Sequence, residues 1–236
     1  MKFVVDKRIF EKIDNLYIGI VVAKGVDNSK HYPEIDEMLD SSIKLAEKKF
    51  LDKKVKEDPL IIPYREAFSK LGINPNRYQC SVEALFTRIS KGKRVPSINP
   101  LVDLNNAISL KHNLPMGTHR LFNDRANIEM RYANEKDTFI PMGSTEVEKP
   151  DKDEVAYIVA NEIRTRRWAW RQGERGKIDT ETSYVFFPID GFKGINDKEV
   201  DKATEELAKL LKKIFGCKVI TGHVDRNNPS FEWKFD

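Results

Sequence analysis

The sequence predicts an α+β fold, and two observations support this class. Segments with helical apolar periodicity fill the stretch from Pro33 to Pro115, and short β-branched segments separated by polar, Gly or Pro residues follow it. A long amphipathic helix and one more strand then end the chain. Helices followed by a run of strands, rather than a regular alternation of the two, are typical of α+β domains.

The N-terminal half is predicted to hold one strand and four helices. The segment LYIGIVVAKGV is rich in β-branched residues and indicates a buried strand. From Pro33 to Phe50, apolar residues recur at three- and four-residue steps, as on one face of a helix. PYREAFSKLG and SVEALFTRISKG predict two shorter helices, and Ser81 is the expected N-cap of the second. Asn99 and Pro100 are a natural N-cap and first residue for the fourth helix.

The C-terminal half is predicted to be mostly strands. The segments NIEMRYA, DTFIPMG, EVAYIVA, RTRRWAW and SYVFFPIDG are short and β-like. An amphipathic helix then runs from Asp197 to Phe215, ends at Gly216, and is followed by the strand CKVITGHV. The apolar stripe of this helix is expected to consist of Val200, Ala203, Leu207, Leu210 and Ile214.

Composition narrows the class of protein. The chain has 236 residues, 40% hydrophobic and 33% charged, with a net charge of +4. This suits a folded domain and permits a polyanionic partner without requiring one. Cys80, Cys217 and the four histidines form no metal or redox spacing, so we expect free thiols, no metal and no cofactor. The longest apolar run, Tyr17 to Ala23, is too short to span a membrane, and the first residues do not form a signal peptide. We therefore expect a cytoplasmic protein that is not bound to a membrane.

The stretch RTRRWAWRQGERG contains five arginines and two tryptophans. If RTRRWAW is a strand, its alternation puts two arginines and both tryptophans on one face. Such a face could bind phosphate and stack on a base, or it could be a tryptophan pair packed on a sheet with arginines lying over it. The candidate RNA-contacting residues are Arg164, Arg166, Arg167, Trp168, Trp170 and Arg171.

Several other polar residues are candidates for a site. Asn99, Asp103 and Asn106 could line a polar pocket or belong to a capped helix with a solvated back face. Glu174 and Asp190 lie next to glycines, where turns would expose their side chains. The alternative is that both are ordinary surface carboxylates. No phosphate-binding glycine loop and no nucleophile elbow is present in the sequence.

The order of three stretches resembles the tRNA-editing module of the phenylalanyl-tRNA synthetase beta subunit, the B3/4 domain. The stretches are INPLVDLNNAISLKHNLPMG, IEMRYANEKDTFIPMGSTEV and RQGERGKIDTETSYVFF, and the resemblance spans about residues 81–190. It implies layered β-sheets with flanking helices and a pocket between the sheets. The length of the chain resembles that of solo proteins built from this module, with residues 1–236 as one B3/4-type domain. A strand and helix precede the motif-bearing part, and a helix and strand follow it.

The resemblance carries over to some site positions and not to others. The matching positions are Asn99, Asp103, Asn106, Pro115, Met116, Gly173, Glu174 and Thr182. At three positions that are linked to editing in the family, this chain has Pro96, Gly117 and Pro188. Gln172 occupies the position of the first glycine in the family's G-G-E motif. Replacement side chains stand two residues away in Arg94, His119 and Asp190. A two-residue offset keeps the same face of a strand, so Asp190 is the most plausible substitute.

The resemblance implies a partner that is tRNA or aminoacyl-tRNA. We expect a quality-control protein that binds the acceptor end and deacylates mischarged tRNA in trans, with Asp190 and Glu174 as the candidate catalytic residues. The candidate pocket residues are Asn99, Asp103, Asn106, Met116, Gly117, His119, Gln172 and Gly173. Two alternatives remain open: a catalytically silent module that binds RNA or an amino-acid-like ligand, and a partner-binding protein that shares only the fold.

Overall fold

Over residues 1–122 and 127–235, which the computed structural model describes, the chain forms two β-sheets and six α-helices. The strands are β1 (Lys2–Val5), β2 (Leu16–Lys24), β3 (His119–Arg120), β4 (Ile128–Tyr132), β5 (Val155–Val159), β6 (Glu162–Arg166), β7 (Arg171–Gln172), β8 (Tyr184–Phe192), β9 (Lys218–Val224) and β10 (Ser230–Glu232). The helices are α1 (Lys7–Lys12), α2 (Pro33–Phe50), α3 (Ile62–Lys70), α4 (Ser81–Ser90), α5 (Pro100–His112) and α6 (Asp197–Phe215). This mixture confirms the predicted α+β class.

The two sheets differ in size and in strand direction. The six-stranded sheet has the order β10-β1-β4-β5-β6-β7, and only its β1–β4 pair is parallel. The four-stranded sheet has the order β3-β8-β2-β9 and is antiparallel throughout. The central β2–β8 pair of this sheet runs in register over nine residues of each strand.

The sheets pack face to face through aromatic side chains. The ring of Phe3 on β1 lies 5.1 Å from the ring of Phe186 on β8. The ring of Tyr157 on β5 lies 5.4 Å from that of His119 on β3. The opposite face of the four-stranded sheet is covered by helices, because Phe187 of β8 shares a buried cluster with Leu104 of α5 and Leu207 of α6. Alternation along β8 therefore points residues 186, 188 and 190 between the sheets and residues 187 and 189 at the helices.

Helix α6 packs very closely on the four-stranded sheet at two glycines. A Cβ atom on Gly19 of β2 would lie 2.4 Å from Thr204 Oγ1, and one on Gly191 of β8 would lie 2.4 Å from Val200 Cγ2. The predicted bounds of α6 and its end at Gly216 are confirmed. The predicted stripe needs one correction, because Leu211 is fully buried while Leu210 and Ile214 are only partly buried. The buried residues of α6 are Val200, Ala203, Thr204, Leu207, Ala208 and Leu211.

Three local predictions are wrong. RTRRWAW is not one strand, because β6 ends at Arg166 and the next two residues, Arg167 and Trp168, have left-handed φ angles of 48° and 61°. DTFIPMG forms isolated bridges rather than a strand. Ser81 is the first residue of α4 rather than its N-cap, and the cap position is Cys80. The structure also contains β1, α1 and β10, which the sequence analysis did not predict.

The free thiols were predicted correctly, since Cys80 and Cys217 are both buried and unpaired with each other. Among the described residues, no helix combines the length and the apolar character needed to cross a membrane.

Candidate functional site

A cavity of about 90 Å³ lies between the two sheets, next to the turn that follows β6. The segment that leads into β3 runs along β8, because the Gly117 amide donates to the Pro188 carbonyl and the Asp190 amide donates to the Pro115 carbonyl. This pairing brings two of the segments that line the cavity side by side. The lining residues are Ser81, Met116, Gly117, His119, Tyr157, Thr165, Trp168, Ala169, Trp170, Gln172, Pro188 and Asp190.

Asp190 is the buried acid of this cavity. The hydroxyl of Tyr157 donates to its Oδ1 at 2.7 Å, and the indole Nε1 of Trp168 donates to the same oxygen at 2.8 Å. Its Oδ2 accepts no hydrogen bond from any described residue. Burial raises the pKa of the Asp190 carboxyl to about 6, against the opposing effect of the two hydrogen bonds. The carboxyl therefore has one oxygen fixed by the protein and one open to a ligand, and it ionises close to neutral pH.

His119 stands beside Gly117, where the family pattern has its histidine. Its Nε2 lies 3.2 Å from the point that a Cβ on Gly117 would occupy, and Pro188 Cγ lies equally close to that point. Because Gly117 has no side chain, the His119 ring can lie next to the space that a side chain at this position would occupy. Burial, and secondarily the charge of Arg164, lower the pKa of His119 to about 3, so the ring is neutral at physiological pH. Its Nδ1 is buried, and no described residue forms a hydrogen bond with it.

Two more lining residues contribute polar groups. Gln172 donates from its Nε2 to the carbonyls of Thr118 and Gly176, at 2.5 and 2.7 Å, and so joins β7 to the segment that carries His119. The Oγ of Ser81 is buried and has no hydrogen-bond partner among the described residues.

Trp168 forms the back of the cavity and is completely buried. Its ring packs near Tyr64, Phe68 and Phe192, with centroid distances of 6.4, 5.7 and 6.1 Å. Its position depends on the left-handed turn at Arg167 and Trp168, since that turn directs the indole inward to Asp190. The expected exposed Arg-Trp face is therefore not present.

The arginines before Trp168 are held in ion pairs. Arg166 makes a two-pronged contact with the buried Glu154, through Nε at 2.9 Å and Nη2 at 2.7 Å. Arg167 pairs with Asp151, and Arg164 Nη2 lies 3.2 Å from Glu162. All three arginine side chains are less than a tenth exposed. Because these side chains are buried, they do not form a surface that can bind phosphate. This corrects the expected roles of Arg164, Arg166 and Arg167.

An aromatic and cationic group lies at the mouth of the cavity. The guanidinium of Arg167 lies 4.0 Å from the ring centre of Tyr78 and 4.7 Å from that of Trp170. Trp170 is partly exposed, and the exposed residues Arg77 and Arg171 lie over the Tyr78 and Trp170 rings. Of the predicted RNA-contacting residues, Trp170 and Arg171 are thus the two that solvent reaches.

The predicted residues of α5 lie away from this cavity. Asn99 caps the helix by accepting from the Val102 amide at 3.1 Å, and Asp103 accepts from the Ser97 hydroxyl at 2.6 Å and the Ile98 amide at 2.9 Å. Asn99 and Asp103 line a separate depression of about 270 Å³. Asn106 lines neither this depression nor the Asp190 cavity. Asn99 and Asp103 therefore shape the backbone that enters α5.

Glu174 is not close to Asp190. It accepts from the Gly143 amide at 2.8 Å, and this bond, with a further contribution from Lys177, lowers its pKa. It lines a different depression, on the side of Arg120 and Arg175. Its neighbour Gly173 is required by packing, because a Cβ there would lie 2.6 Å from Phe139 Cε2. The two carboxylates expected to act together are thus on separate surfaces.

Pro96 and Arg94 lie in a third place, an open cleft of about 820 Å³ beside α2. Neither residue is among those that line the Asp190 cavity. Arg94 therefore does not replace the family's arginine at this site.

Tyr157 and Ser81 are the site residues that the sequence analysis missed. Tyr157 lies in the apolar strand EVAYIVA, where its hydroxyl is the only side-chain polar group between Val155 and Val159. A buried tyrosine usually hydrogen-bonds its hydroxyl, which was an available signal that a polar partner exists. That partner, Asp190, is 33 residues away along the chain, and no local pattern identifies it.

Comparison with known proteins gives a family match. A family model described as the B3/4 domain matches residues 63–216. Among solved structures, an N-terminal fragment of the phenylalanyl-tRNA synthetase beta subunit from Pyrococcus horikoshii is similar, with 11% identity and a TM-score of 0.47. The similarity covers 94% of this chain and 53% of that one, so the chain spans about half of that fragment. No curated protein matches. Because the family model covers well over half of the sequence, the chain belongs to the B3/4 domain family.

Proposed function

We propose that this chain binds the acceptor end of aminoacyl-tRNA and hydrolyses the ester of mischarged tRNA in trans. The observation that carries the proposal is the buried Asp190, which keeps Oδ2 unbonded inside a cavity large enough for a small acyl group. Membership of the B3/4 family supports a tRNA-associated role.

In the proposed reaction, water attacks the ester carbonyl and the bond to the ribose oxygen breaks. Asp190 Oδ2 accepts a proton from the attacking water, and that proton is delivered to the departing ribose oxygen, so the products are the free amino acid and uncharged tRNA. A general base is most effective when its pKa is near the operating pH, and burial raises the pKa of Asp190 to about 6. Tyr157 and Trp168 hold the carboxylate in place through Oδ1.

His119 is proposed to polarise the ester carbonyl. An unpaired buried acceptor costs less than an unpaired buried N–H, so the neutral ring carries its proton on Nε2 rather than on the orphaned Nδ1. Nε2 lies on the side of Gly117, which lines the cavity. A preorganised donor at the carbonyl oxygen stabilises the charge that develops during hydrolysis.

The RNA end is proposed to dock at the mouth of the cavity. Trp170 offers a ring on which a terminal base stacks, and Arg77 and Arg171 offer exposed charges for phosphate. Both arginines lie next to the aromatic rings of the mouth, so stacking and charge act at one place.

A second candidate is a binding module without catalysis. It is favoured by Gly117 and Pro188, which provide no side-chain functional group at two positions linked to editing in the family, and by Pro96, which is remote from the cavity. Such a module would hold an aminoacyl end without hydrolysing it.

A panel of aminoacyl-tRNAs separates the two candidates. The wild type is incubated with each, and hydrolysis above the uncatalysed rate is measured beside an Asp190→Asn variant and an Asp40→Asn control, whose aspartate is exposed on α2. We expect the wild type and Asp40→Asn to hydrolyse at least one substrate and Asp190→Asn to be much slower. Binding without hydrolysis of any substrate would favour the silent module instead.

A further inference from the structure

We propose that the Asp190 cavity selects aminoacyl groups with small side chains, such as alanyl and seryl, and excludes phenylalanyl and tyrosyl groups. This inference rests on the proposed function and specifies its substrate class. The first observation is size. The cavity measures about 90 Å³, whereas an apolar protein cavity that holds benzene measures about 150 Å³. Within the walls of this cavity a phenyl ring is therefore a much poorer fit than a methyl or hydroxymethyl group.

The second observation is that the protein's own aromatic ring occupies the adjoining space. Trp168 is fully buried at the back of the cavity and is fixed by its bond to Asp190 and by the rings of Tyr64 and Phe68. Enlarging the cavity in that direction would break the bond that orients the carboxylate. On the Trp168 side, the cavity therefore cannot be enlarged without losing a bond that holds its carboxylate.

The remaining walls are also fixed. Pro188 has a closed ring with no rotamers, and Met116 is buried against the helices in the cluster that includes Ile189. A Cβ at Gly117 would already meet Pro188 and His119 at 3.2 Å. Met116 is paired with Ile189, so its side chain lies on the helix side of the sheet. Thr165 is paired with Tyr157 and is thus the lining side chain whose truncation enlarges the cavity without removing Asp190 or its two donors.

Asp190 does not distinguish one aminoacyl group from another. Its open Oδ2 is the base for the water that attacks the ester, and every aminoacyl-tRNA has that ester. Discrimination between aminoacyl groups therefore falls on the volume left for the side chain, and this volume is small.

The experiment uses a short acceptor-stem RNA carrying the aminoacyl group through a hydrolysis-resistant 3′-amide. Dissociation constants are measured for the uncharged RNA and for its alanyl, seryl, phenylalanyl and tyrosyl forms. We expect alanyl and seryl RNA to bind at least about 10-fold more tightly than uncharged RNA, because the aminoacyl group fills the cavity that uncharged RNA leaves empty, at the value of roughly two buried methylenes. We expect phenylalanyl and tyrosyl RNA to bind no more tightly than uncharged RNA. Aromatic forms that bind as tightly as alanyl RNA, or alanyl RNA no tighter than uncharged RNA, would overturn the inference.

A matched pair of variants tests the size argument itself. Thr165→Ala removes part of a wall of the cavity, whereas Thr180→Ala removes an exposed threonine elsewhere. Once circular dichroism has established that both variants are folded, we expect Thr165→Ala alone to tighten phenylalanyl RNA binding by about 10-fold, the value of roughly two buried methylenes. No change in Thr165→Ala, or an equal change in both variants, contradicts a size limit set by this cavity.

A third measurement separates this inference from the proposed function. If none of the RNAs binds, the proposed function fails, and the cavity is probed directly with alaninamide and phenylalaninamide. The reporter is the indole N–H resonance of Trp168, which bonds to Asp190 and is assigned with Trp170→Phe and Trp233→Phe variants. A shift with alaninamide and none with phenylalaninamide supports small-side-chain selection. A shift with both, or with neither, overturns it.

Discussion

Asp190 and His119 are both buried at the cavity, and burial moves their pKa values in opposite directions. The pKa of Asp190 rises from 3.8 to about 6, so between these values the folded chain holds a proton that the unfolded chain has released. Its contribution to stability is present below pH 3.8 and is lost as the pH rises through 6. The pKa of His119 falls from 6.5 to about 3, so its contribution is present above pH 6.5 and is lost as the pH falls toward 3.

These opposing titrations predict the behaviour of single variants. Asp190→Asn keeps an oxygen acceptor but no longer ionises, so its free energy of unfolding should rise relative to wild type as the pH increases from 4 to 6.5. The relative change is on the order of 3 kcal/mol, from about two pKa units at 1.36 kcal/mol each. His119→Gln should change in the opposite sense over the same range. Urea unfolding at several pH values measures both, and a pH-independent difference for either variant would contradict the assigned pKa shift.

Substitutions at Arg166 and Arg171 distinguish an arginine that stabilises the fold from one that binds RNA. Arg166 pairs with the buried Glu154, and Arg171 is exposed at the mouth. Arg166→Met should lower the free energy of unfolding by about 3–5 kcal/mol, because it leaves an uncompensated buried carboxylate. Arg171→Met should leave stability unchanged and weaken RNA binding. The reverse pattern in urea unfolding and RNA titration would mean that Arg166 does face the ligand.

Helix α6 packs on the four-stranded sheet through one face, and substitutions at two of its leucines test this packing. Leu207 is fully buried there, and Leu210 is only partly buried at the edge of an apolar groove. Leu207→Ala should reduce the free energy of unfolding by about 2–5 kcal/mol, and Leu210→Ala by less than half as much. Equilibrium urea unfolding measures both. Equal losses would mean that α6 contacts the sheet through a different face.

The turn after β6 contains the feature most relevant to RNA, the partly exposed Trp170. If a terminal base stacks there, Trp170→Ala should weaken tRNA binding by about 1–3 kcal/mol, and wild-type affinity should fall steeply with salt because phosphate contacts release counterions. Leu45→Ala, an exposed apolar change on α2, serves as the control. Affinity that does not depend on salt, together with an unaltered Trp170→Ala, would place the RNA elsewhere.

Elements with local signals were predictable from the sequence, and elements fixed by distant contacts were not. The Asn99 cap, Pro100 at the first turn and Gly216 at the end of α6 all stand where expected, because these signals act within one turn of a helix. Strand β1 is four residues long and pairs with β4 and β10, far along the chain. The turn at Trp168 was missed because residues other than glycine seldom take positive φ.

At the scale of the molecule, the site arises where the two sheets and the turn after β6 meet. The family resemblance named six of the twelve residues that line the cavity: Met116, Gly117, His119, Gln172, Pro188 and Asp190. It did not identify which residues hold Asp190, because Trp168 and Tyr157 are 22 and 33 residues away and reach it only through the packing of the sheets. Glu174 was grouped with Asp190 by motif order, although it lies on another surface.

The pH dependence of deacylation tests the central proposal most directly. The measurement is the single-turnover rate of alanyl- or seryl-tRNA hydrolysis from pH 5 to 8, with the uncatalysed rate subtracted, by wild type and Asp190→Asn. With Asp190 as the base, the wild-type rate should rise about tenfold per pH unit below its pKa of about 6 and level off above it. Asp190→Asn should be at least about 100-fold slower. A wild-type rate without an inflection near pH 6, or a variant as fast as wild type, would contradict the account.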